Sequence, residues 1–112
     1  TRAGEPFEVP TEPRVSRVVV LAPATGWFAG PDALDAVTAP VTAFVGSEDT
    51  VTRPESAELL RPAPAGLDLH SYDGVGHFDF MSPLPSNKVP TPRLDPDAFY
   101  EVFLRDFLAA IG

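Results

Sequence analysis

The chain has no cysteine among its 112 residues. Disulfide staples and thiolate metal sites are therefore excluded, and cytoplasmic and secreted settings both stay open. Two histidines are too few for a histidine-rich metal centre, so neither a metal nor any other cofactor is expected. Basic residues are scarce as well: Lys88 is the only lysine, and 16 Asp and Glu against 8 Lys and Arg give a formal net charge of −8. A surface this acidic is repelled by phosphate backbones, which argues against nucleic acid as a partner. Long apolar runs are missing too. None approaches the roughly 20 residues that cross a bilayer, and no segment has the basic, apolar and small-residue succession of a secretory signal.

What the chain does have is the composition of a soluble globular domain. Hydrophobic residues make up 44% and the mean hydropathy is near zero, outside the range of disordered chains. The length allows one small domain with a modest core. The 14 prolines fall mostly between apolar runs, where they punctuate elements.

Residues 1–13 mix charges, Pro and Gly without periodicity and read as an irregular lead-in to a domain spanning 14–112. Val15 to Ala22 (VSRVVVLA) is the strongest strand signal, and its unbroken apolar centre suits a strand buried on both faces of a parallel sheet. Pro31 to Val37 (PDALDAV) reads as a short helix opened by proline. Val41 to Val45 (VTAFV) is a second strand, ended by Gly46, and Arg53 to Leu60 a second helix. Leu67 to Tyr72 (LDLHSY) is a third strand, closed by Asp73-Gly74. A last helix follows, with Asp95 as N-cap and Pro96 at its first position. In it Phe99, Phe103, Phe107 and Ile111 recur every four residues, with Leu104 and Leu108 beside them, as one broad stripe for packing on a sheet. Phe80 and Met81 read as core, and His70, within a strand, as structural.

Alternating strands and helices indicate an α/β fold with about three parallel strands, crossover helices and a long C-terminal helix. Three strands make a thin sheet, and the most apolar one comes first, as though another strand lay on its open side. An incomplete domain is therefore expected.

In such sheets ligands and catalytic groups gather beyond the C-terminal strand ends. Three segments occupy that edge: PATGWFAG from Pro23, GSEDTVT from Gly46 and DGVGHFDFM from Asp73. The second offers Asp49 and the third His77, separated by about one strand–helix–strand unit of roughly 30 residues, so both should meet on the same edge. An acid beside an imidazole orients it, fixes its tautomer and stabilises the imidazolium of general-base catalysis. Asp49 could equally be a solvated turn acid, with Glu48 competing for its role, and His77 an ordinary loop histidine. Trp27 and Phe28 could line an acyl or leaving-group pocket, or simply pack at a domain edge.

From about Glu12 to Gly112 the chain resembles the C-terminal half of α/β-hydrolases, and is most similar to dienelactone-hydrolase-like and platelet-activating-factor acetylhydrolase-like proteins. PVTAFVGSEDTVT looks like the seventh strand of that family with its Gly-x-x-Asp turn, matched by Gly46 and Asp49; Thr52 stands where the family usually has valine. YDGVGHFDFM looks like the histidine loop after the eighth strand, with Gly74, Gly76 and His77 in place, and RVVVLAPATGWF resembles the sixth strand. The resemblance implies that Asp49 and His77 are the acid and base of a Ser-His-Asp triad acting on a small ester, lipid ester or lactone. No Gly-x-Ser-x-Gly nucleophile elbow occurs; Gly26 to Gly30 has the glycines but Phe28 in the serine position. The serine is thus expected on a missing N-terminal part, on a second polypeptide or chain segment. The alternatives are a non-catalytic binding or assembly module derived from the fold, and an unrelated small α/β domain in which the two residues coincide.

Overall fold

The computed structural model describes residues 12–81 and 96–112, with only the backbone of Pro96. Most of the lead-in and the Asp95 cap lie outside these residues. Three strands form one parallel sheet in the order β1-β2-β3: β1 (Val18–Leu21), β2 (Val41–Gly46) and β3 (Leu67–Tyr72). The register pairs Val18 with Val41 and Val41 with Leu67, so the three strands start level. The chain is a small α/β domain. No helix among the described residues is long and apolar enough to cross a membrane.

β2 occupies the centre because it can be buried on both faces. Val41, Ala43 and neighbouring Val18, Val20, Leu67 and Leu69 face one cluster with Leu34, Leu60 and Ala63. Phe44 faces the opposite cluster with Val75, Phe80, Phe99 and Phe103. β1, expected to be the deeply buried strand, lies at an edge. Its valines are only partly buried, and Leu21 is exposed. β1 is also shorter than expected, because residues 15–17 do not join the ladder and Ala22 turns to φ +45°. A positive φ is disfavoured for an L-residue and ends a strand.

The first cluster is covered by short elements. The helix expected over Pro31 to Val37 is absent: the segment makes separate three-residue turns, with Asp32 at φ +63°. A seven-residue stretch gains little against the cost of helix nucleation, and one left-handed residue stops propagation. Its Leu34 is nonetheless buried. The next helix is a 3-10 helix, Pro54–Leu60, which buries Ala57 and Leu60. Those two positions are three apart, matching three residues per turn.

The second face is covered by α1 (Pro96–Ile111). Phe99 and Phe103 are buried and Phe107 partly so; Phe103 meets Phe44 edge-on at 5.4 Å. The Tyr72 hydroxyl donates to Asp106 at 2.8 Å and docks the helix on β3. Burial, followed by the hydrogen bond and charge of Asp106, pushes the Tyr72 phenol upward, so it stays a donor at all ordinary pH. His70 stacks on Phe44 at 4.9 Å and contacts Asp68, within the packing of this face. The expected broad stripe divides in two: Leu104, Leu108 and Ile111 are 49%, 60% and 48% exposed. The sheet is too narrow to cover a helix surface that wide. Phe80 is buried as expected, whereas Met81 is exposed.

Candidate active site

All three strands end at the same edge, and the loops leaving β2 and β3 are tied together there. The Ser47 N–H donates to the Tyr72 carbonyl, and the Glu48 N–H to the Val75 carbonyl at 2.9 Å. The Ser47 hydroxyl accepts from the Gly74 N–H at 2.8 Å and reaches Asp73 at 3.3 Å. Gly74, at φ +75°, makes the turn that brings the loop back. Gly46 is required for another reason, since a Cβ there would overlap the Val75 carbonyl. Gly46→Ala should push the two loops apart. We expect it to cost about 1–3 kcal/mol and to abolish the Asp49–His77 hydrogen bond, read by thermal unfolding and by imidazole NMR.

Asp49 follows this junction and is almost fully buried, with 1% of its side chain exposed. The N–H groups of Val51 and Thr52 donate to its Oδ1 at 2.9 and 2.8 Å. His77 Nδ1 lies 2.8 Å from Oδ2, and its side chain is 25% exposed. A carboxylate accepts only, so the Nδ1 proton points at Asp49 and Nε2 is the basic nitrogen. The His77 turn, a 3-10 helix over His77–Phe80, is held by Asp79, whose carboxylate accepts from the Gly76 N–H at 2.7 Å.

Burial pushes the Asp49 carboxyl upward and is the largest single influence. The His77 hydrogen bond, the two backbone donors and Thr52 together outweigh it and hold the group below the usual aspartate range. A depressed folded-state value gives stability that is complete above the unfolded value of about 3.9 and is lost as pH falls through the folded one. Unfolding temperature should therefore drop as pH falls below about 4, and Asp49→Asn should flatten this part of the profile. An unchanged acid limb in Asp49→Asn would contradict the hydrogen-bonded Asp49 carboxylate.

Among the described residues, no hydrogen bond or ring contact ties Trp27 or Phe28 to this pair. Trp27 is 75% exposed and Phe28 packs against the Leu34–Val41 cluster. Among the described residues neither makes a ring contact with His77, whose ring neighbour is Phe78 at 5.0 Å. Glu48 is exposed, and Asp49 rather than Glu48 meets the imidazole. No described serine hydroxyl bonds to His77: Ser47 holds the β3 turn, and Ser56 donates to the Arg53 carbonyl. Nor do the described residues bring together three His, Asp or Glu side chains suited to a metal ion.

Two contributors were not visible as site residues in the sequence. Asp79 fixes the His77 turn, and the Thr52 hydroxyl touches both members of the pair, 3.0 Å from Asp49 Oδ2 and 3.1 Å from His77 Nδ1. An Asp followed three residues later by Thr is the available sequence signal for a local side-chain turn. No protein-family model, curated protein or solved structure matches the chain.

Proposed function

We propose that this chain is the acid-and-base-bearing half of an α/β-hydrolase that cleaves a small ester, lipid ester or lactone through a serine nucleophile. The single observation carrying this reading is the Asp49 Oδ2–His77 Nδ1 contact of 2.8 Å at the C-terminal edge of a parallel sheet. Asp49 holds the tautomer with its proton on Nδ1 and stabilises the imidazolium once formed. His77 Nε2 accepts the proton of a serine hydroxyl as that oxygen attacks the carbonyl carbon, then passes it to the departing alkoxide. In the second half-reaction it deprotonates a water that releases the acyl group. The serine comes from a second polypeptide or a chain segment outside the described residues. The resemblance of the two loops to the acid and histidine loops of that superfamily supports the assignment.

The assay is hydrolysis of a generic aryl ester, with fluorophosphonate labelling of the purified assembly. Labelled serine on an accompanying segment, together with turnover, is the expected result. A homogeneous, folded protein that neither labels nor hydrolyses would overturn the reading.

A second reading has its own observation. The outer edge of β1 is unpaired among the described residues, and Leu104, Leu108 and Ile111 are exposed on α1. These are features of a binding or assembly module that carries no reaction. Stable association without turnover would favour it.

A further inference from the structure

We infer that Thr52 is a positioning residue of the Asp49–His77 pair, its hydroxyl offering the His77 Nδ1 proton a second acceptor while anchored to the backbone that leaves β1. The inference rests on the hydrolase reading for its catalytic meaning, but its geometry stands alone. Three groups surround the Thr52 Oγ1: the Ala22 carbonyl at 3.0 Å, Asp49 Oδ2 at 3.0 Å and His77 Nδ1 at 3.1 Å. One hydroxyl proton cannot serve all three. Whether it goes to the Ala22 carbonyl or to Asp49 Oδ2, a lone pair of the oxygen is left for His77, and the Nδ1 proton is shared between Asp49 at 2.8 Å and Thr52 at 3.1 Å.

The backbone supports it. Ala22 holds φ +45°, a conformation that L-residues rarely adopt, while its N–H donates to the Phe44 carbonyl at 2.8 Å. The Ala22 carbonyl so placed is what Thr52 bonds. One hydroxyl thereby joins the segments after β1, β2 and β3: Ala22 from the first, Asp49 and Thr52 from the second, His77 from the third. Asp49 alone fixes the Nδ1–H direction at one point. A second acceptor restrains that N–H vector from another side, and with it the tilt of the ring that carries Nε2.

Imidazole NMR of the protein tests this without substrate. In Thr52→Val, which keeps shape but removes the hydroxyl, the Nδ1 proton of His77 should exchange with water about tenfold faster than in the parent, the factor expected for one lost hydrogen bond. Thr52→Ala should behave alike, and Thr52→Ser should restore exchange to within roughly twofold of the parent. Unchanged exchange in Thr52→Val and Thr52→Ala, or no rescue by serine, would overturn the inference. So would loss of the native fold in both hydroxyl-free variants, because the hydroxyl would then hold the fold rather than orient the ring. Absence of ester hydrolysis sinks the hydrolase reading and leaves the exchange result intact. Turnover with exchange indifferent to Thr52 sinks only the positioning role.

Discussion

Under the proposed hydrolase reading, His77→Ala should lower kcat for an aryl ester by about 10⁴-fold or more, equivalent to roughly 5.5 kcal/mol of lost transition-state stabilisation. The reason is that a serine hydroxyl is a poor nucleophile until a base removes its proton, and the Nε2 of His77 is the nitrogen left for that task once Asp49 holds Nδ1. Asp49→Asn should cost about 10⁴-fold by a different route. The amide can present N–H to the ring, which favours the tautomer with its proton on Nε2, the wrong atom for a base. The two losses should not add in the double variant, since acid and base act as one unit. Glu48→Gln is the control. Glu48 is exposed and Asp49 makes the contact with His77, so this substitution should change kcat by less than about threefold. Steady-state kinetics on folded variants decide the matter. A His77→Ala protein that retains activity, or a Glu48→Gln protein as damaged as Asp49→Asn, would remove the pair from the chemistry.

Phe44→Ala is expected to cost the domain about 3–5 kcal/mol. Phe44 has no exposed surface and, with Tyr72, packs the sheet against the helix. It stacks on His70 at 4.9 Å and Tyr72 at 6.2 Å, and meets Phe103 and Phe107 of α1 at 5.4 and 6.3 Å. Alanine leaves a void that the strand cannot close, since β2 is held by ladders on both sides. Typical domains are stable by only about 5–15 kcal/mol, so one such substitution removes a large share. A fall in unfolding temperature of more than about 10 °C is expected. Phe44→Leu keeps most of the volume and should lose less than half as much. If thermal unfolding of Phe44→Ala lies within about 2 °C of the parent, α1 is not docked on the sheet through this residue.

The local pattern was legible where it depended on neighbours in the chain. Apolar, β-branched runs marked the first two strands and an alternating run the third, each ended by Pro, Gly or Asp, and β3 matches its expected span, because turn residues stop a ladder whatever lies beside it. The last helix was equally clear from its four-residue repeat. The turn segment over Pro31 to Val37 was not, since a single residue's sign of φ at Asp32 lies below the resolution of a pattern. Strand burial was misassigned for a related reason. Val18 to Leu21 (VVVL) is the more apolar run, yet VTAFV lies at the centre, and position in a sheet follows from which strands flank it.

The absence of cysteine, the excess of acid, the parallel α/β order and the facing of the Asp49 and His77 loops were set by the sequence, because a parallel sheet sends all its strand ends to one edge. Tertiary structure alone decided how the pair is held. The Val75 carbonyl fills the space a side chain at Gly46 would need. Thr52 bridges two loops to the carbonyl of Ala22. The two Thr52 contacts join residues 30 and 25 positions apart at 3.0 and 3.1 Å, and hydrogen bonds discriminate on tenths of an ångström. The spacing of residues along a chain carries no such precision; packing supplies it.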